Sequence, residues 1–169
     1  MSIDTLEGLF VYKLRQQYYA ERQLVETLDE LATSATNGRL HRSFADHRDE
    51  TRAQIERLED VFATLGIDAE TREAPILDAI DAQRRGFEAQ IDDEDLLDLV
   101  YLTTGLMIER VEMSTYEGLS LLATELELGE EVHQPLEANY DEEQSAHGEI
   151  DTLAAASEMK SLWERLTPS

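Results

Sequence analysis

The sequence contains no cysteine, so disulfides, thiolate metal sites and thiol chemistry are excluded, and any bound metal must use oxygen and imidazole ligands. Proline and glycine are scarce, at 3 and 8 of 169 residues, which suits long uninterrupted helices. No apolar run approaches the ~20 residues that a membrane span requires. Met1 to Leu9 carry Asp4 and Glu7 and lack the basic start and apolar run of a signal peptide, so the cytoplasm is the expected location. Positive charge is also in short supply. Lys13 and Lys160 are the lysines, arginine supplies the rest, and the formal net charge is −24. Such a surface repels nucleic acid and anionic lipid, so neither is expected as a partner. Excess Asp and Glu with almost no Lys is the habit of proteins from salt-saturated cytoplasm, where screening weakens self-repulsion, and a halophilic source is expected.

What is present is helical periodicity. Apolar residues make up 41% of the chain, enough for one domain with a single substantial core spanning residues 1–169. Helix A is predicted from about Ser2 to Ala35, with Ile3, Leu6, Phe10, Leu14, Leu24, Leu28 and Leu31 at spacings of three and four. Asn37-Gly38 ends it, and helix B runs from about Arg39 to Leu65, closed by Gly66. Ile67 to Asp93 holds Pro75 and one shorter amphipathic segment, and reads as a crossover containing a short helix. Asp92 or Asp93 caps helix C, which runs to about Leu126, and Gly129 marks the next turn. Helix D spans about Glu130 to Ala156, with Pro135 in its first turns, and a last short helix carries Leu162, Trp163 and Leu166.

Short A–B and C–D loops make two antiparallel hairpins, and the long B–C link joins them in the ferritin-like four-helix arrangement. A plain up-and-down bundle with an inserted helix is the other topology open at this point.

The informative residues are polar ones on the stripes. Steps of three or four reach Glu21 on helix A and His47, Glu50 or Thr51, and Gln54 on helix B. On helix C they reach Glu112 and Thr115, and on helix D Tyr140, Glu143 and His147. If the A–B turn centres near Thr36, Glu21 and Glu50 lie about fifteen residues either side of it; Glu112 and Glu143 are placed alike about Leu128. Four helices thus carry a glutamate, expected to face inward, at matching depth. Buried together, four carboxylates would be strongly destabilising unless protonated or neutralised by a cation, and a metal pair neutralises them directly. His47-x-x-Glu50 and Glu143-x-x-x-His147 each put an imidazole and a carboxylate on one helical face. Glu109, Glu117 and Glu142 read as solvated. Tyr18, Tyr116 and Tyr140 read as half-buried rings whose hydroxyls reach water.

Leu6 to Phe10, Leu14, Tyr18 to Glu21 and Leu24 on helix A resemble the YciE/YciF family of ferritin-like stress proteins. So do His47, Glu50, Thr51, Gln54, Arg57 to Glu59, Phe62 and Leu65-Gly66 on helix B, Arg110 to Glu112 on helix C and Asp141 to Glu143 on helix D. The resemblance implies a ferritin-like bundle, a homodimer, and a centre for two iron ions, with manganese the other candidate. It implies a role in oxidative-stress defence or iron oxidation. The expected ligands are Glu21, Glu50, Glu112, Glu143 and His147, with His47 a further ligand or a hydrogen-bond donor to one. The family's His-Tyr-Glu after the Val-Glu pair is replaced here by Met113, Ser114 and Thr115, and His147 stands where an Asp is common. The alternative is a non-enzymatic, stress-related helical dimer without a functional metal site.

Overall fold

Local capping sets the ends of each long stripe. The computed structural model describes residues 3–155 and contains α1 (Leu6–Ser34), α2 (Gly38–Thr64), α3 (Pro75–Glu88), α4 (Glu94–Glu125) and α5 (Glu130–Ala155). The expected short helix around Trp163 lies outside the described residues. The Thr5 side chain accepts the Gly8 N–H at 3.0 Å, so α1 starts at Leu6 and not at Ser2. Ile3 and Leu6, expected on the apolar stripe, are instead 44% and 40% exposed. Asn37 caps α2, Pro75 opens α3 at a position where its missing N–H costs nothing, and the Asp93 side chain caps α4. Gly66 takes φ +68° after α2. Gly129 lies in the turn between α4 and α5, as expected, and the left-handed residue of that turn is Glu127, at φ 53°.

The contacts fix the topology. Thr36, just past α1, bonds to Asp98 near the start of α4, whereas Gln17 and Glu21 earlier in α1 bond to Glu112 and Tyr116 further along α4, so these helices are antiparallel. Arg57 meets Asn139 and Gln54 meets Glu143, so α2 and α5 are antiparallel too. Since α1 and α2 form a hairpin, α2 and α4 run parallel, and the crossover with α3 carries the chain back along the bundle. This is the ferritin-like order of two hairpins, which removes the up-and-down alternative.

Asp98 is the tie between hairpins that the sequence does not announce. It is 2% exposed and accepts bonds from Thr36 N, Thr36 Oγ1 and Asn37 N at 3.0, 2.7 and 2.8 Å, satisfying the A–B turn from α4. Gly105 lets α4 approach closely, because a Cβ there would lie 2.8 Å from Ile150 Cδ1 and 3.0 Å from the Phe44 ring.

The apolar core has two parts. One is built on Leu24, Leu28, Leu31, Phe44, Ile108 and Ile150, the other on Phe10, Leu14, Leu58, Phe62, Leu119 and Leu136. Between them lies a layer of buried polar side chains.

Candidate metal centre

The polar layer draws on all four long helices. Glu21, Glu109, Glu112 and Glu143 are each 0% exposed, and His47 is 3% exposed. One ligand atom from each of His47, Glu109, Glu112 and Glu143 lies within 4.8 Å of every other. His47 Nε2 stands 3.3 Å from Glu109 Oε1 and 3.6 Å from Glu143 Oε2. Glu21 adjoins this group through Gln17, whose Nε2 donates to Glu21 Oε1 at 2.9 Å and to Glu112 Oε1 at 3.1 Å.

Neutral donors hold one side of the carboxylates. Gln54 Nε2 donates to Glu143 Oε1 at 2.6 Å. The Tyr116 hydroxyl donates to Glu21 and accepts from Asn139 Nδ2 at 2.7 Å. The remaining atoms are orphaned. Glu21 Oε2, both Glu109 oxygens, Glu112 Oε2, Glu143 Oε2 and both His47 nitrogens are buried without a hydrogen-bond partner. Buried polar atoms are ordinarily satisfied, so this concentration of lone pairs is the unusual feature of the molecule. Oxygen and imidazole donors facing one another with free lone pairs fit a hard or borderline cation such as iron or manganese.

The electrostatics describe the same deficit. Burial pushes the Glu21 carboxyl up to about 8; nearby Glu143 adds to this, and the hydrogen bonds from Tyr116 and Gln17 oppose it. Burial also raises Glu109 and Glu112 well above the ordinary carboxyl range, with Glu143 adding in both cases and His47 opposing at Glu109. For His47, burial favours the neutral ring, but Glu109 and Glu143 outweigh it and push the imidazole up to about 10.

Of the residues expected from sequence, Glu21, Glu112, Glu143 and His47 meet at the centre. Glu50 does not. Its side chain is 48% exposed, and Oε2 lies 3.7 Å from His47 Nδ1 on the outer side of the ring. The physical reason is helical phase: at ~100° per residue, Thr51 lies ~20° from Phe44 around α2 and Glu50 ~120°. Thr51 and Gln54 are the buried neighbours. His147 is half-buried one turn beyond Glu143, outside the 4.8 Å group, with its Nε2 buried and unpartnered.

The fourth buried glutamate is Glu109, which the sequence reading left in solvent. Tyr116, read as half-buried, is 0% exposed, and its hydroxyl is bonded inside the centre. A phase set from the whole of α4, and not from Ile108 alone, points between Glu109 and Glu112. Tyr18 is also buried and donates to Glu59 Oε1 at 2.7 Å, while Tyr140 donates to Glu117 at 3.2 Å on the outside.

Comparison with known proteins agrees with this architecture. Residues 5–162 match the family model described as a domain of unknown function, DUF892. The chain is 25% identical over 127 residues to protein YciF of Escherichia coli strain K12, spanning 75% of this chain and 76% of that protein. Among solved structures it is similar to YcfI of Rhodopseudomonas palustris, provisionally described as a structural protein. The TM-score is 0.86 at 31% identity, over 89% of this chain and 96% of that one. The crystal structure of the E. coli stress protein YciF gives a TM-score of 0.84 at 24% identity, over 90% and 96% of the two chains.

Proposed function

The chain belongs to the DUF892 family of YciF-type helical bundles, and we propose that its buried centre binds a pair of iron or manganese ions. The observation that carries this reading is the set of orphaned lone pairs on Glu21, Glu109, Glu112, Glu143 and His47. Those five residues would hold the metal, with His147 the next donor on α5. Such ions would supply one-electron chemistry toward peroxide or oxygen, in oxidant defence or iron oxidation.

The chain's own residues do the positioning. Gln17 and Gln54 fix the rotamers of Glu21, Glu112 and Glu143 through their amide donors. Tyr116 holds a proton against Glu21, and Asn139 holds the phenol in place. The apolar layers above and below keep bulk water from the carboxylates. A homodimer in the cytoplasm of a halophilic cell belongs to the same proposal, the halophilic source being supported by the net charge of −24.

Elemental analysis of protein purified without added metal tests the reading. About two irons or manganeses per chain are expected, lost on Glu112→Ala. Absence of metal in the wild type, with thermal stability indifferent to added iron or manganese, overturns it.

One observation favours a second reading. Glu21, Glu112 and Glu143 already accept hydrogen bonds from neutral donors, so a metal-free centre has partial support of its own. The protein would then be a non-enzymatic helical dimer, in keeping with the description of the R. palustris relative. The same elemental analysis separates the two.

A further inference from the structure

A buried cation site needs a way in, and the outer face of His47 supplies one. Between α2 and α5 a groove of about 510 Å³ opens to solvent, and His47 lies in its lining. The groove also carries Asp46, Asp49, Glu50, Glu142 and Glu149. Asp49 is engaged by Arg48 and Arg52, and Glu142 by Arg57. Among the described residues, no arginine or lysine forms an ion pair with Asp46, Glu50 or Glu149.

His47 is the second, independent feature. It is 3% exposed, both ring nitrogens lack a hydrogen-bond partner, and the two face opposite ways. Nδ1 looks outward to Glu50 at 3.7 Å, and Nε2 inward to Glu109 and Glu143 at 3.3 and 3.6 Å. One imidazole ring therefore separates the acidic groove from the buried carboxylates. Two openings of about 200 Å³ lie on the opposite side of the bundle. One carries Glu26, Asp78 and Asp81 but no residue of the centre; the other reaches Gln17 and is lined by Lys13, Pro75, Ile76 and Leu77 with no acidic side chain.

We propose that the α2–α5 groove is the route by which divalent cations reach the centre, with Asp46, Glu50 and Glu149 gathering the hydrated ion and His47 passing it inward. The route rests on the metal-binding reading above. Three carboxylates with no arginine or lysine partner among the described residues, Glu50 meeting only the His47 ring, line a concave opening, focus field lines and raise the local cation concentration. A neutral imidazole offers one lone pair at a time, so an ion taken from the groove on Nδ1 displaces a proton to the neighbouring Glu50, and its release inward to Glu109 and Glu143 frees Nδ1 to take a proton back. This gives Glu50 a function that its exposure denies it as a buried ligand.

The test is the rate at which the metal-free full-length chain takes up Co²⁺, followed by stopped-flow absorbance at moderate salt. The variant Asp46→Asn/Glu50→Gln/Glu149→Gln is expected to load about tenfold more slowly and to reach the same final Co²⁺ per chain. Glu117→Gln/Glu137→Gln/Asp141→Asn removes the same charge from a cluster on the α4–α5 face and is expected to load within about twofold of wild type. Ser145→Trp, at an exposed groove position, is expected to slow loading without any change in charge. Wild-type rates in both the groove triple variant and Ser145→Trp overturn the route and leave the metal centre standing. Equal slowing by the two charge triples also overturns it, since net charge alone would then set the rate. A wild-type chain that takes up no Co²⁺ overturns the metal centre and the route together.

Discussion

Two clusters of buried charge sit in this bundle, and only one of them is complete. Arg84 on α3 is 2% exposed and gives its guanidinium to Asp81, Glu88 and Glu30 at 2.6–2.9 Å, carboxylates that keep part of their surface in water. One cation is matched by several anions, and each of the three guanidinium nitrogens has an acceptor. At the centre anions also outnumber the one cationic group, but none of them reaches water: four fully buried glutamates share a single imidazole, and five of their oxygens have no hydrogen-bond partner. The first cluster is finished by folding. The second is finished only by something added, either protons or metal.

The sharpest way to break this comparison is to vary pH without metal. The Glu21 carboxyl moves from an ordinary 4.5 to about 8 in the folded chain. Between those values the unfolded chain has lost a proton that the folded chain keeps, so stability falls by up to about 1.4 kcal/mol per pH unit. Its contribution is fully present below 4.5 and gone above about 8. His47, raised from 6.5 to about 10, works in the same direction: its contribution is complete below 6.5 and lost as pH rises through 10. Metal-free protein should therefore lose several kcal/mol of stability between pH 5 and 9, read as a falling Tm. Glu21→Gln should flatten that curve between 4.5 and 8, which separates the centre from the acidic surface. Added iron or manganese should lift the Tm most at the alkaline end, because metal competes with protons for the same atoms. Identical pH slopes for wild type and Glu21→Gln would show that the centre is not the source.

The Arg84 cluster supplies the contrasting case. Arg84→Met should cost about 2 kcal/mol, less than a fully buried pair because Glu30 is 47% exposed. The loss should be the same with and without metal and nearly independent of pH between 6 and 9. Denaturant melts in chelator and in metal measure both. A metal-dependent loss would mean that the two clusters are coupled through α4, and the distinction drawn between them would fall.

The two clusters also differ in how far they could be read from the chain. Helices, hairpins and crossover were legible because apolar steps of three and four repeat over many turns, so a single misplaced residue does not shift an element. The centre depends on individual phases, and there one residue matters. On α2 the step from His47 to Gln54 passes Glu50 or Thr51, and chemistry favoured Glu50 while geometry selects Thr51, which is 0% exposed. On α4 the inward direction was taken from Ile108, yet the helix packs against α1, α3 and α5 and buries a broad arc that takes in Glu109 and Tyr116. Asp98 and Arg84 were missed for another reason. Asp98 meets Thr36 and Asn37, 62 and 61 residues away, and Arg84 is drawn inward by Glu30, 54 residues away; its other partners, Asp81 and Glu88, are helix neighbours whose spacing alone does not tell a buried guanidinium from an exposed one.

That phase correction carries the smallest and most specific prediction. Glu50 and Glu109 are both glutamates beside His47, one outside the ring and one inside. Glu50→Gln should change metal-free stability by less than about 0.5 kcal/mol and leave the final metal content alone, since its carboxylate is already hydrated. Glu109→Gln should stabilise the metal-free chain by about 1 kcal/mol at pH 7, because folding no longer has to protonate or desolvate a buried carboxyl. The same substitution should lower the metal content, so its stability effect changes sign once iron or manganese is added. Paired thermal melts with and without metal, together with metal analysis, read all of these. If Glu50→Gln lost metal while Glu109→Gln kept it, the side of His47 on which the cation rests would have to be reversed, and the groove would be the site itself.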